Sequence, residues 1–151
     1  MKLVITKDDP QSADGRLLID QSEVFMRANF PPEECFTYSP EELANAQTWF
    51  YIARLNGQPI GCVALVLCDG YGEIKRLFVA DNGRGLGLGR KLMQNLEDDA
   101  QEGGISVLRL ETGHDLKEAV GLYRSLGYRA CTSYGDYGDA PNSLFMEKRL
   151  G

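Results

Sequence analysis

The stretch Arg84-Gly85-Leu86-Gly87-Leu88-Gly89 constrains this chain more than any other. An apolar, strand-like segment, Gly72–Val79, precedes it, and Leu88, Leu92, Leu96 and Ala100 follow at helical spacing. A strand must therefore pass into a helix through a loop whose glycines let the backbone approach a ligand closely. The N–H groups that open that helix lack partners within it and attract anions. Charge adds to this. Lys75–Lys91 holds five bases and one acid, Asp81, in a chain with 22 acids, 16 bases and a net charge of −6. The acidic balance argues against a general nucleic-acid binder or a basic membrane-surface protein. The local positive window then reads either as a solvated turn or as a seat for a small phosphate-bearing ligand.

The rest of the chain supplies the frame. Its 151 residues suggest one domain, 1–151, long enough to bury about two-thirds of its unfolded surface. Leu3–Thr6 reads as a first strand, and Asp14 to about Ala28 as an amphipathic helix stopped by Asn29-Phe30-Pro31-Pro32. Ser39-Pro40-Glu41-Glu42 has the capping-box pattern of a helix start. Asn56-Gly57 joins Trp49–Leu55 to Pro59–Cys68 as a hairpin, and Asp69-Gly70 leads on to Gly72–Val79. After the glycine loop and its helix, Gly103-Gly104 breaks the chain before a strand over Ile105–Glu111. A helix capped by Asp115 and Glu118 then ends at Gly127, and Tyr128–Ser133 with Ser143–Arg149 closes the sheet. This order predicts one α/β domain built on a mixed sheet.

No segment approaches the ~20 apolar residues of a membrane span, and the N-terminus is too short for a signal peptide. Cys35, Cys62, Cys68 and Cys131 show no metal-ligand spacing, and His114 is the one histidine, so no metal site is expected. Unpatterned cysteines without an export signal fit a cytoplasmic protein.

Two phosphate-binding fingerprints fail on required positions. A dinucleotide loop needs glycine, and a phosphate-loop NTPase needs glycine followed by lysine, where Arg90 stands. The wider pattern is more informative. Val79, Arg84-x-x-Gly87-x-Gly89 and the leucine-bearing helix resemble the acetyl-CoA motif of the GNAT superfamily of N-acetyltransferases. Glu118-Ala119-x-x-Leu122-Tyr123-x-x-x-Gly127-Tyr128 is similar to that family's second motif. Glu111-Thr112-Gly113 and the tail around Tyr134–Lys148 resemble a branch of small bacterial members whose substrates are largely unassigned.

The resemblance implies a mostly antiparallel twisted sheet flanked by about four helices, with the fourth and fifth strands splayed. It implies a cofactor pyrophosphate on the backbone of Arg84, Gly85, Leu86, Gly87, Leu88, Gly89 and Arg90. It also implies a pantetheine arm along Leu77, Phe78 and Val79, with the Leu77 N–H stabilising the oxyanion. The acetyl group would pass directly from acetyl-CoA to a primary amine between Phe78 and about Leu110–Thr112. Tyr123 occupies the position that donates a proton to the departing thiolate, whose parent thiol titrates near ~8.5. Glu73, eleven residues before Arg84, stands where some members carry a general-base glutamate. Leu116 replaces an asparagine that many members use for the cofactor, and His114 falls near the expected mouth.

By the same analogy the acceptor is set by about Gln21–Pro40 and Tyr134–Asn142, which hold Glu23, Glu33, Glu34, Asp136 and Asp139 with Phe30, Phe36, Tyr38, Tyr134 and Tyr137. Acids with aromatics would suit a cationic amine, from a small molecule or a peptide. A homodimer is expected by analogy alone. Two other readings stand beside the transferase: a non-catalytic acyl-CoA-binding module of the same fold, and a nucleotide-binding domain of another family.

Overall fold

The computed structural model describes residues 2–29, 38–45, 47–135, 137, 138 and 140–151. In chain order the elements are β1 (Leu3–Asp8), α1 (Ala13–Asn29), α2 (Pro40–Asn45), β2 (Thr48–Leu55), β3 (Gln58–Cys68), β4 (Tyr71–Val79), α3 (Leu88–Glu102), β5 (Val107–Gly113), α4 (Lys117–Ser125), β6 (Arg129–Cys131) and β7 (Ser143–Arg149). The expected order holds throughout. The proline stop after Asn29, apart from Asn29 itself, and Cys35 lie outside the described residues.

Local chemistry fixes most of the turns. Asn56 and Gly57 take φ of 51° and 83°, the primed geometry whose twist suits a two-residue hairpin. The capping box at α2 is complete: Glu42 N–H donates to Ser39 Oγ at 3.0 Å, and Ser39 N–H donates to Glu42 Oε1 at 3.1 Å. α4 ends in a Schellman motif, with Gly127 at φ 99° and the Tyr128 N–H reaching back to the Tyr123 carbonyl at 3.0 Å. Its start corrects the expectation. Leu116 is the N-cap and no side chain caps it; Asp115 contributes only its backbone carbonyl, to Lys117 N–H.

The seven strands form one sheet in the order β1-β2-β3-β4-β5-β7-β6, antiparallel except where β4 meets β5. Period-2 alternation sends residues to two cores. Tyr51, Val63, Leu65, Ile74, Leu108 and Leu110 face Leu92, Leu96 and Ala100 of α3 and Tyr123 of α4. Phe50, Ile52, Cys62 and Ala64 face Leu18 and Ile19 of α1 and Leu43 of α2. β3 is buried on both faces, which explains its continuous apolar run.

Gly72 sits where β3, β4 and β5 meet. A Cβ built there would lie 2.7 Å from Leu65 Cδ1 and 3.2 Å from Leu108 Cδ2. Gly72→Ala is therefore expected to lower stability by about 1–3 kcal/mol through overpacking. Urea unfolding checks this, and an unchanged midpoint would show that the core yields at no cost.

Candidate active site

β4 and β5 pair over three residues only: Gly72 with Leu108, Glu73 with Arg109 and Ile74 with Leu110. Beyond these the strands part. The departure coincides with a bulge, because Arg76 and Leu77 together stand opposite Val63, between the pairs Ala64–Lys75 and Cys62–Phe78. Arg76 takes φ 58° there. A bulge bends its strand and increases its twist. A non-glycine residue in the left-handed region costs about 1–2 kcal/mol, and the buried guanidinium offsets this. It donates to Ser22 Oγ at 2.8 Å, to the Tyr38 carbonyl at 3.0 Å and to the Glu23 carboxylate.

A cleft of about 780 Å³ opens where the strands separate. At one end is the glycine loop. Gly85 and Gly87 have φ of 82° and 69°, and a Cβ on either would meet nothing within 4 Å, so open space lies above the backbone. Gly87 is the N-cap of α3 and offers no side chain to cap it. The first-turn N–H groups of α3 thus suit an anion, and the fit to a pyrophosphate is good. Gly89 has another reason: a Cβ there would come 3.2 Å from Leu122 Cδ2, so glycine permits the close approach of α3 to α4. Arg90 is tied to α4 by a 2.6 Å bond to Ser125 Oγ.

Leu77, Phe78, Val79, Arg84, Gly85, Gly87, Leu88, Gly89, Arg90 and Tyr123 all line the cleft. Leu86 does not; the residue is 36% exposed. Tyr123 is buried beside Tyr128, their rings edge to face at 6.0 Å. Among the described residues none bonds its hydroxyl. Burial, with the Glu111 carboxylate nearby, holds that hydroxyl well above its ordinary pKa, so it stays protonated.

Glu73 is 5% exposed, so it is not a solvated carboxylate, and it lies outside the cleft lining. Its Oε2 accepts from Tyr137 Oη at 2.5 Å and Tyr134 Oη at 3.1 Å, and Lys75 Nζ lies 3.4 Å away. Tyr137 and Lys75 line the cleft, so Glu73 stands behind them. His114 is exposed, donates its backbone N–H to the Asn142 carbonyl at 3.3 Å, and does not line the cleft.

The group that sequence reasoning passed over is Glu111. It lines the cleft, and Ser143 Oγ donates to its Oε2 at 2.6 Å. Burial pushes its pKa above the ordinary carboxylate range and Glu73 adds to this, while Ser143 and Lys75 act the other way. The available signal was its place at the end of the expected strand Ile105–Glu111, one residue past Leu110, where the splay was expected. Among the described residues no group of three His, Cys, Asp or Glu could hold a metal ion, and no helix is long and apolar enough to cross a membrane.

A sheet opened at its parallel pair, beside an uncapped helix start and a protonated tyrosine, defines the class: an acyltransferase. Residues 17–128 match the Acetyltransferase (GNAT) family, and the chain belongs to that family. It is 35% identical over 150 residues to an IAA acetyltransferase of Azospirillum brasilense, covering 98% of each chain. It is 33% identical to the uncharacterized N-acetyltransferase YsnE of Bacillus subtilis, covering 80% of this chain and 82% of that one. A Klebsiella pneumoniae structure of the acyl-CoA N-acyltransferase class superposes with a TM-score of 0.83 at 31% identity, over 99% and 98% of the two chains. The PaiA N-acetyltransferase of Thermoplasma acidophilum, solved with coenzyme A, shares the fold at a TM-score of 0.77 and 19% identity, over 99% and 100% of the chains.

Proposed function

We propose that this protein transfers an acetyl group from acetyl-CoA directly to a primary amine. The observation that carries this reading is the gap between β4 and β5, which joins the uncapped start of α3 to Tyr123 and Glu111 in one cleft. The pyrophosphate rests on the loop from Arg84 to Arg90, and the pantetheine arm runs beside Leu77, Phe78 and Val79. The amine nitrogen attacks the thioester carbonyl, whose oxyanion takes the Leu77 N–H. The carbon–sulfur bond breaks, the thiolate takes its proton from Tyr123, and Glu111 receives the proton lost by the amine. Glu73 acts from behind Tyr137 and Lys75, without touching the acceptor. A homodimer is carried by family analogy alone.

A thermal shift with acetyl-CoA, CoA, NAD and ATP tests the cofactor. A ligand at about 100 times its dissociation constant adds about 2.7 kcal/mol, several degrees for a domain of this size. Acetyl-CoA and CoA are expected to give this shift and NAD and ATP none. Gly87→Glu places a carboxylate and a strained Cβ at the loop and is expected to abolish it. No response to either CoA form would overturn the reading. A response without acetyl transfer to any amine would leave a binding module instead.

A further inference from the structure

The acids and aromatics expected to receive a cationic amine are engaged by the chain's own cations. Glu23 holds Arg76, and Glu73 pairs with Lys75. The Lys75 ammonium lies 4.7 Å from the centre of the Tyr38 ring and 5.1 Å from that of Tyr137. The Tyr134 ring of that set lies 5.9 Å from the Arg109 guanidinium, and Phe30, Glu33, Glu34, Phe36, Asp136 and Asp139 lie outside the described residues.

At the root of the gap the cleft presents two opposite charges. Ile74 and Leu110 are the last paired residues of β4 and β5, and both side chains enter the core beneath α3. Lys75 and Glu111 come next on the two strands and so project from the opposite face. Both line the cleft, and each lies within the other's electrostatic reach, yet no ion pair joins them. Lys75 is held away by Glu73 at 3.4 Å and by its 2.6 Å bond to Tyr137 Oη. Glu111 has one oxygen on Ser143 and the other without a partner among the described residues. Phe25, Met26 and Phe78 supply an apolar wall.

We propose that the acceptor is an α-amino acid with an apolar side chain, its amine against Glu111 and its carboxylate against Lys75. The ligand carboxylate joins the partners Lys75 already has. This inference rests on the transferase reading above, and a simple amine would leave the cation side of the gap without a ligand charge.

Matched acceptors test it: L-leucine, L-leucinamide and 3-methylbutylamine, and L-phenylalanine, L-phenylalaninamide and 2-phenylethylamine, each with acetyl-CoA and with the acetylated product measured by mass. The amino acid is expected to exceed both neutral analogues in kcat/KM by about tenfold or more, the scale of one charge-assisted hydrogen bond. The amides carry the more acidic ammonium, so protonation alone favours them, and a preference for the acid reports the carboxylate. In the double variant Lys75→Met, Glu73→Gln, which removes the Glu73 carboxylate together with its ammonium partner, the ratio is expected to fall to within about threefold, through KM for the acid. Equal or better turnover of the neutral analogues by the unaltered protein would overturn the acceptor assignment alone. No product from any of the six would likewise overturn the acceptor assignment, and the transferase reading would then stand or fall on the acetyl-CoA shift and on transfer to other amines.

Discussion

Tyr123→Phe is expected to lower kcat by about 10²–10⁴ while acetyl-CoA still binds. The substitution removes one oxygen and keeps the ring, so the edge-to-face contact with Tyr128 survives. No described residue depends on the hydroxyl, and thermal stability should move little. On the proposed mechanism, what disappears is the proton for the leaving thiolate. Burial and the Glu111 charge raise the Tyr123 pKa, so the acid form persists across the working range. The wild-type kcat should accordingly not decline as pH approaches about 10, the ordinary tyrosine value. Turnover by thiol release, beside titration of acetyl-CoA binding, separates the two effects. Equal turnover in the variant would remove Tyr123 from the chemistry and leave it a core aromatic.

Much of this was legible because the deciding residues act locally. Asn56-Gly57, the Ser39–Glu42 capping box and Gly127 each carry their conformation in their own chemistry, and each did so in the structure. Leu88, Leu92, Leu96 and Ala100 are all buried on α3, as their spacing requires. The limits of β5 slipped by two residues at each end, where Ile105 and Ser106 remain outside the strand. The bulge at Arg76 could not be read. An arginine at φ 58° has no local signal, and its cause is the tertiary set of Ser22, Glu23 and Tyr38. That bulge changes which side chains of β4 share a face: Glu73, Lys75 and Arg76 all lie on the α1 side.

The same kind of long-range contact holds Glu73 behind the cleft lining. Tyr134 and Tyr137 arrive from some sixty residues away to bond its carboxylate. Burial and the charge of Glu73 both raise the pKa of these phenols, so they remain donors. Glu73 thus orders the Tyr137 side of the cleft and retains Lys75, and Glu111 is the carboxylate left facing the gap.

Glu111→Gln is expected to lower kcat/KM by about 10²–10⁴ and to abolish its acid limb. In the wild type, kcat/KM should rise with pH through the Glu111 titration, at a midpoint above the ~4.3 of an ordinary glutamate. The groups facing this carboxylate are Lys75 and Glu73 of β4 and Ser143 of β7, with Tyr123 of α4 sensing its charge. Stability should move the other way. Because the folded pKa lies above the unfolded one, the folded state binds the extra proton between the two values. The favourable contribution is present at low pH and is lost as pH rises through the folded pKa. At neutral pH the buried carboxylate is therefore a cost that glutamine removes, while the amide oxygen can still accept from Ser143. The variant should melt no lower than the wild type at neutral pH, with any advantage shrinking toward pH ~4. A variant with lower melting temperature and an intact acid limb would instead assign Glu111 to the fold.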